Sequence, residues 1–195
     1  ASACGREQIP DVPQTPPSRP ILYMDLEKGK ELAGPVTAAV YPSGEYLGTV
    51  VRAPSATWSP DGSTFAYVTE DSTLKLKELR GETFTILVAA AGERFYPWPM
   101  WSPDGLSIAF IVTAESSRET GPFTSLPNSL VVINVVEKKI RSRYALSKET
   151  IHLPNYFSGP DKLRWSPDGS KILISWENAV VIDTGTGTVQ TISPT

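Results

Sequence analysis

A chain of 195 residues, 40% of them hydrophobic, has enough apolar material for one ordinary domain with a real core, which excludes wholesale disorder. Eighteen basic against 21 acidic residues leave a net charge of −3, and the densest basic run, Glu137 to Arg143, reads as the polar side of an edge hairpin, so no nucleic-acid partner is expected. A single cysteine and a single histidine exclude an internal disulfide and argue against a zinc enzyme, and no apolar run reaches the roughly 18–20 residues that span a bilayer.

The chain opens with Ala-Ser-Ala-Cys-Gly, small residues before Cys4 that resemble the end of a bacterial lipobox. Cys4 is therefore the lipidation candidate. Prolines at 10, 13, 16, 17 and 20 follow, and such a stretch is extended and semi-rigid at about 3.1 Å per residue. Residues 1–20 are read as a tether and 21–195 as the folded domain. The implied location is extracytoplasmic, periplasmic or at the cell surface, with membrane contact only through that lipid.

From residue 21 onward the chain alternates β-rich runs with tight turns. Residues 21–32 (ILYMDLEKGKEL) predict a hairpin, and 36–51 predict a second one around Tyr-Pro-Ser-Gly-Glu. Trp-Ser-Pro-Asp-Gly then occurs three times, at 58–62, 101–105 and 165–169. Proline pre-sets the second turn position, aspartate tolerates the third, and glycine accepts the positive φ that follows. Each copy is followed by strand-like alternation and then by another predicted hairpin, at 73–87, 130–144 and 179–192. The unit is four antiparallel strands, a-b-c-d, with the pentapeptide at the a–b turn; 21–32 then reads as a leading c–d hairpin and 36–51 as a degenerate a–b hairpin. The copies start 43 and 64 residues apart, and the excess of the second interval falls in predicted loops at 114–129 and 146–161.

Four-stranded units at this period are the mark of propeller blades. The pentapeptide followed by a strand resembles the TolB-type propeller repeat and is similar to the propeller domain of the prolyl oligopeptidase family, over about residues 55–193. The resemblance implies fold and no activity: such propellers serve as binding scaffolds or stand beside a separate hydrolase domain. The expected fold is all-β, a propeller-like array of about 3.5–4 blades, forming an open arc, a small closed ring or part of a longer protein. In an arc, the face of the last blade, with Ile172, Ile174 and Trp176, needs a cover: a partner, a second copy or the 36–51 segment.

The repeated residues Trp58, Asp61, Gly62, Trp101, Asp104, Gly105, Trp165, Asp168 and Gly169 are read as structural: tryptophans packing blade on blade, aspartates and glycines making turns. The a–b and c–d turns share one rim and are all short. The predicted long loops, 89–97, 114–129 and 146–161, share the other, and long loops on a rigid scaffold are where function concentrates. They supply the partner- or ligand-binding candidates Arg94, Phe95, Tyr96, Trp98, Phe123, His152, Tyr156 and Phe157, residue types enriched at binding hot spots. Phe95, Tyr96 and Trp98 equally suit plugging the gap above their own blade.

No nucleophile elbow, phosphate loop, zinc motif or calcium loop is present, so no catalytic residue, metal or cofactor is expected. The leading expectation is a non-catalytic module that binds or scaffolds other proteins, possibly a second copy, in a membrane-associated assembly. The alternatives are a small-molecule or glycan binder using the aromatic rim and, less favoured, a propeller-based hydrolase or lyase.

Overall fold

The computed structural model of the protein describes residues 20–31, 36–78, 81–114, 128–146, 163–175 and 179–192. It is built almost wholly of antiparallel sheet. Three four-stranded units follow the predicted plan. The first is β4 (Ala56–Trp58), β5 (Thr64–Val68), β6 (Thr73–Glu78) and β7 (Thr83–Val88), hydrogen-bonded in that order. The last is β13 (Leu163–Trp165), β14 (Lys171–Ser175), β15 (Ala179–Asp183) and β16 (Val189–Ile192). Between them, β10 (Ser107–Ala114), β11 (Asn128–Asn134) and β12 (Lys139–Leu146) carry an inner strand in two pieces, β8 (Glu93–Phe95) and β9 (Met100–Trp101). Pro97 and Pro99 lie at that break, where the missing N–H groups cannot serve a ladder. The predicted loop 89–97 is accordingly shorter than expected, because the long β10 pairs with Glu93–Phe95.

The amino-terminal part departs from expectation. Residues 21–32 do not form a hairpin: β1 (Ile21–Met24) runs into a short helix, α1 (Leu26–Glu31). Asp25 starts that helix, its Oδ1 accepting the Lys28 N–H at 2.9 Å and its carbonyl the Gly29 N–H at 3.0 Å. β1 pairs instead with β2 (Thr37–Val40), which turns through Tyr41–Glu45 into β3 (Tyr46–Val51). The hairpin at 36–51 therefore exists, but β3 leads directly into the next unit, as β7 does. This makes it a c–d hairpin rather than a–b. The described strands thus give three complete blades and one three-stranded sheet that starts at strand b.

Alternation explains how the sheets stack. Ile108, Phe110 and Val112 of β10 pack with Ala66, Val68, Leu74 and Leu76, while Ala109 and Ile111 face Leu163, Ile172, Ile174, Val180 and Ile182. Both faces of β10 are covered, which is why its sequence SIAFIVTA lacks a polar stripe. A third cluster joins Val51 and Ala53 to Phe65 and Tyr67. Ile172 and Ile174 are thus already buried against the middle blade and need no outside cover. The opposite face of that last sheet carries Leu173, Val181 and Ile192, and Trp176 lies outside the described residues. The 36–51 segment belongs to the first sheet and does not cover the last.

Candidate functional site

The repeated turns are alike in detail. Gly62, Gly105 and Gly169 each have φ of +72°, a conformation in which a β-branched residue is strained. In the first, the Ser59 N–H donates to Thr64 O (2.8 Å) and the Gly62 N–H to Ser59 O (2.9 Å). The Ser59 hydroxyl lies 2.5 Å from Asp61 Oδ1, which also accepts the Ser63 N–H at 3.0 Å. Ser102 with Asp104, and Ser166 with Asp168, repeat the arrangement.

Each tryptophan reaches back one sheet. The indole N–H of Trp58 donates to Pro20 O at 2.9 Å, that of Trp101 to Thr57 O at 3.1 Å and that of Trp165 to Met100 O at 3.1 Å. Thr57 returns a bond from its hydroxyl to Pro99 O at 2.8 Å. A side chain begun at Gly105 would meet Pro60 Cδ at 3.6 Å, so neighbouring turns also touch. These residues hold sheet to sheet, and the aspartates are turn groups with their lone pairs engaged.

That engagement sets their acidity. The Ser166 hydroxyl, with the Ser170 N–H, holds Asp168 down to about 2, and the same two kinds of donor lower Asp61 and Asp104. A carboxyl whose folded pKa lies below its unfolded value near 3.8 stabilises the fold fully above that value and loses its contribution as pH falls through the folded pKa. The urea midpoint is therefore expected to stay level above pH 4 and to drop between about pH 4 and 2. Asp168→Asn should make that drop shallower, and a midpoint that rises on acidification would contradict this origin.

The rim expected to carry long loops supplies a mixed outcome. Phe95 is buried with its ring 4.8 Å from Phe110, inside the core between the first two complete blades. Tyr96 and Trp98 are buried 5.2 Å apart between the middle and last blades, and burial pushes the Tyr96 hydroxyl up to about 12. All three rings fill gaps between sheets, the second of the two roles their sequence context suits. Arg94 lies exposed on the same rim. Cys4, Phe123, His152, Tyr156 and Phe157 lie outside the described residues.

The short-turn rim holds a feature that the repeat did not reveal. A groove of about 190 Å³ between the middle and last blades is lined by Asp104, Arg141, Ser142, Tyr144, Trp165 and Thr184, among others. Arg141 belongs to the basic run read from sequence as solvent-facing, and pairing in β12 carries it to this groove. The lining is polar and smaller than the about 300 Å³ at which ordinary ligand pockets begin. No three His, Cys, Asp or Glu converge to hold a metal among the described residues, and no described helix is long and apolar enough to cross a membrane.

No family model and no curated protein matches the chain. Solved structures do. An oligogalacturonate lyase in complex with manganese superposes with a TM-score of 0.58 at 16% identity, over 87% of this chain and 46% of its own. A second oligogalacturonate lyase, from Vibrio parahaemolyticus, gives 0.53 at 12% identity, over 89% and 61%. The fold is a β-propeller array. Hydrazine synthase of Kuenenia stuttgartiensis gives 0.53 at 16% identity, over 76% of this chain and 46% of its own. The chain spans roughly half the length of these structures, and at such identities the likeness concerns fold alone.

Proposed function

We propose that this chain is a non-catalytic, extracytoplasmic propeller module of the TolB type that binds or scaffolds other proteins, tethered to a membrane through Cys4 and the proline-rich 1–20 segment. The observation that supports this reading is at the two ends of the array. Ile21, Tyr23 and Tyr46 on the first described sheet, and Leu173 and Ile192 on the last, are large apolar side chains exposed to solvent. Soluble proteins seldom leave contiguous apolar faces bare unless they are interaction sites. A photo-crosslinking residue at position 173, used in the native membrane fraction, should give discrete protein adducts. The same residue at Val136, which is exposed on a turn, should not. Equal labelling at both positions, or none at 173, would count against the reading.

A second reading, lyase or glycan binder, draws on the two oligogalacturonate lyases among the similar folds and on the Trp165, Tyr144 and Arg141 groove. Incubation with oligogalacturonate, with and without manganese, tests it through the ultraviolet absorbance of an unsaturated product. Tryptophan fluorescence during the same titration reports binding without turnover.

A further inference from the structure

We propose that the polar groove between the middle and last blades binds a free α-amino acid, its carboxylate held by Arg141 and its ammonium by Asp104. The site is separate from the protein-binding faces and does not depend on them, and its ligand is not a glycan.

The three repeated turns are controls for one another. The residue after Gly62 and after Gly169 is a serine, and its hydroxyl donates to the second oxygen of the turn aspartate: Ser63 to Asp61 Oδ2 at 2.9 Å and Ser170 to Asp168 Oδ2 at 2.8 Å. The residue after Gly105 is Leu106. Asp104 Oδ1 still accepts the Ser102 hydroxyl at 2.5 Å and the Leu106 N–H at 2.9 Å. Among the described residues nothing donates to its Oδ2. Asp168 also borders the groove, but both of its oxygens are engaged by its own turn. The spare acceptor is therefore on Asp104.

Arg141 supplies the opposite charge. Val132 pairs with Ser142 and Ile133 with Ile140, so Arg141 is the extra residue of a β-bulge. Bulges re-aim side chains, and Arg141 of this one lines the groove. Its guanidinium makes no ion pair or hydrogen bond among the described residues. The Ser102 hydroxyl and the Leu106 N–H lower the acidity range of Asp104, and the Arg141 charge adds to them. Donor fork and acceptor thus lie within electrostatic reach of each other without contact.

Charge selects the ligand. A monocarboxylate on Arg141, a uronate included, meets the negative charges of Asp104 and Asp168, and a simple amine on Asp104 meets Arg141. A molecule with both charges satisfies both groups, and an α-amino acid carries them on one carbon. About 190 Å³ is too little for a larger ligand and suits one of this size. Tyr144 and Trp165 give the wall apolar surface for its carbon atoms. Asp104 and Arg141 are exposed, so affinity is expected to be about millimolar and not tighter.

The test is a titration of L-alanine into the 195-residue chain, followed by NMR of backbone amides and tryptophan indoles. Signals of Asp104, Arg141 and Trp165 should shift and saturate. Arg141→Gln and Leu106→Ser should each weaken binding about tenfold, the worth of one hydrogen bond to a charged group. Leu106→Ser is the sharper variant, because it installs the residue already present at 63 and 170 and so keeps the turn while giving Asp104 Oδ2 an internal donor. Acetate and methylammonium, each with one of the two charges, should bind at least about tenfold more weakly than alanine. No saturable shift in the millimolar range overturns the proposal. So does equal binding of acetate and alanine, or alanine binding that both variants leave unchanged. Galacturonate bound in preference to alanine overturns it and favours the glycan reading. Protein adducts at position 173, present or absent, do not alter these outcomes, so the two proposals fail separately.

Discussion

Trp101→Ala is expected to lower stability by about 3–5 kcal/mol, the range for truncating a buried large aromatic. Trp101 is buried within the cluster that holds Phe95, Ile108 and Phe110, and its indole N–H donates to Thr57 O on the preceding sheet. Trp101→Phe separates these contributions. It keeps most of the apolar contact and leaves the Thr57 carbonyl without its donor, which costs about 1–3 kcal/mol where water cannot substitute. Trp58 and Trp165 make the same backward bond but are only half-buried, so their alanine variants should cost less. Urea unfolding of the three variants checks the order. If all three were nearly neutral, the tryptophans would be surface residues available for stacking on a sugar, not blade packing.

The repeat was legible because turn chemistry is local. Ser-Pro-Asp-Gly specifies its own backbone and its own hydrogen bonds, and the strands on either side follow from alternation. The first sheet departs from the sequence expectation because the same local logic has two outcomes there. Asp25 and the charged run after it can close a hairpin or cap a helix, and pairing of β1 with the distant β2 decides for the helix. Glu93–Phe95 falls within the loop that the sequence predicts at 89–97, because Pro97 and Pro99 separate it from the strand ending at Trp101, yet β10 is long enough to pair with both pieces. Function was less legible still. Phe95, Tyr96 and Trp98 have the composition of a binding patch, and only the stacking of sheets shows that they are buried. Arg141 could not be placed at a groove without knowing that Trp165 and Asp168 of the next blade stand opposite it.

Phe110→Ala should cost about 3–5 kcal/mol, whereas Leu173→Ala, one blade later, should stay within about 0.5 kcal/mol in dilute solution. Phe110 is fully buried in the middle of β10 with the Phe95 ring 4.8 Å away, so its removal leaves a cavity between two sheets that cannot collapse without moving both. Propeller stability resides in such junctions, since each sheet contacts only its neighbours. Leu173 stands where Ala66 and Ala109 stand in the preceding blades, so alanine is already the residue this position accepts. Its side chain borders solvent, and truncating it forms no internal cavity. The comparison is made by urea unfolding at submicromolar chain, where association does not add to stability. A Leu173→Ala cost near that of Phe110→Ala would mean that the last face is already covered within one chain.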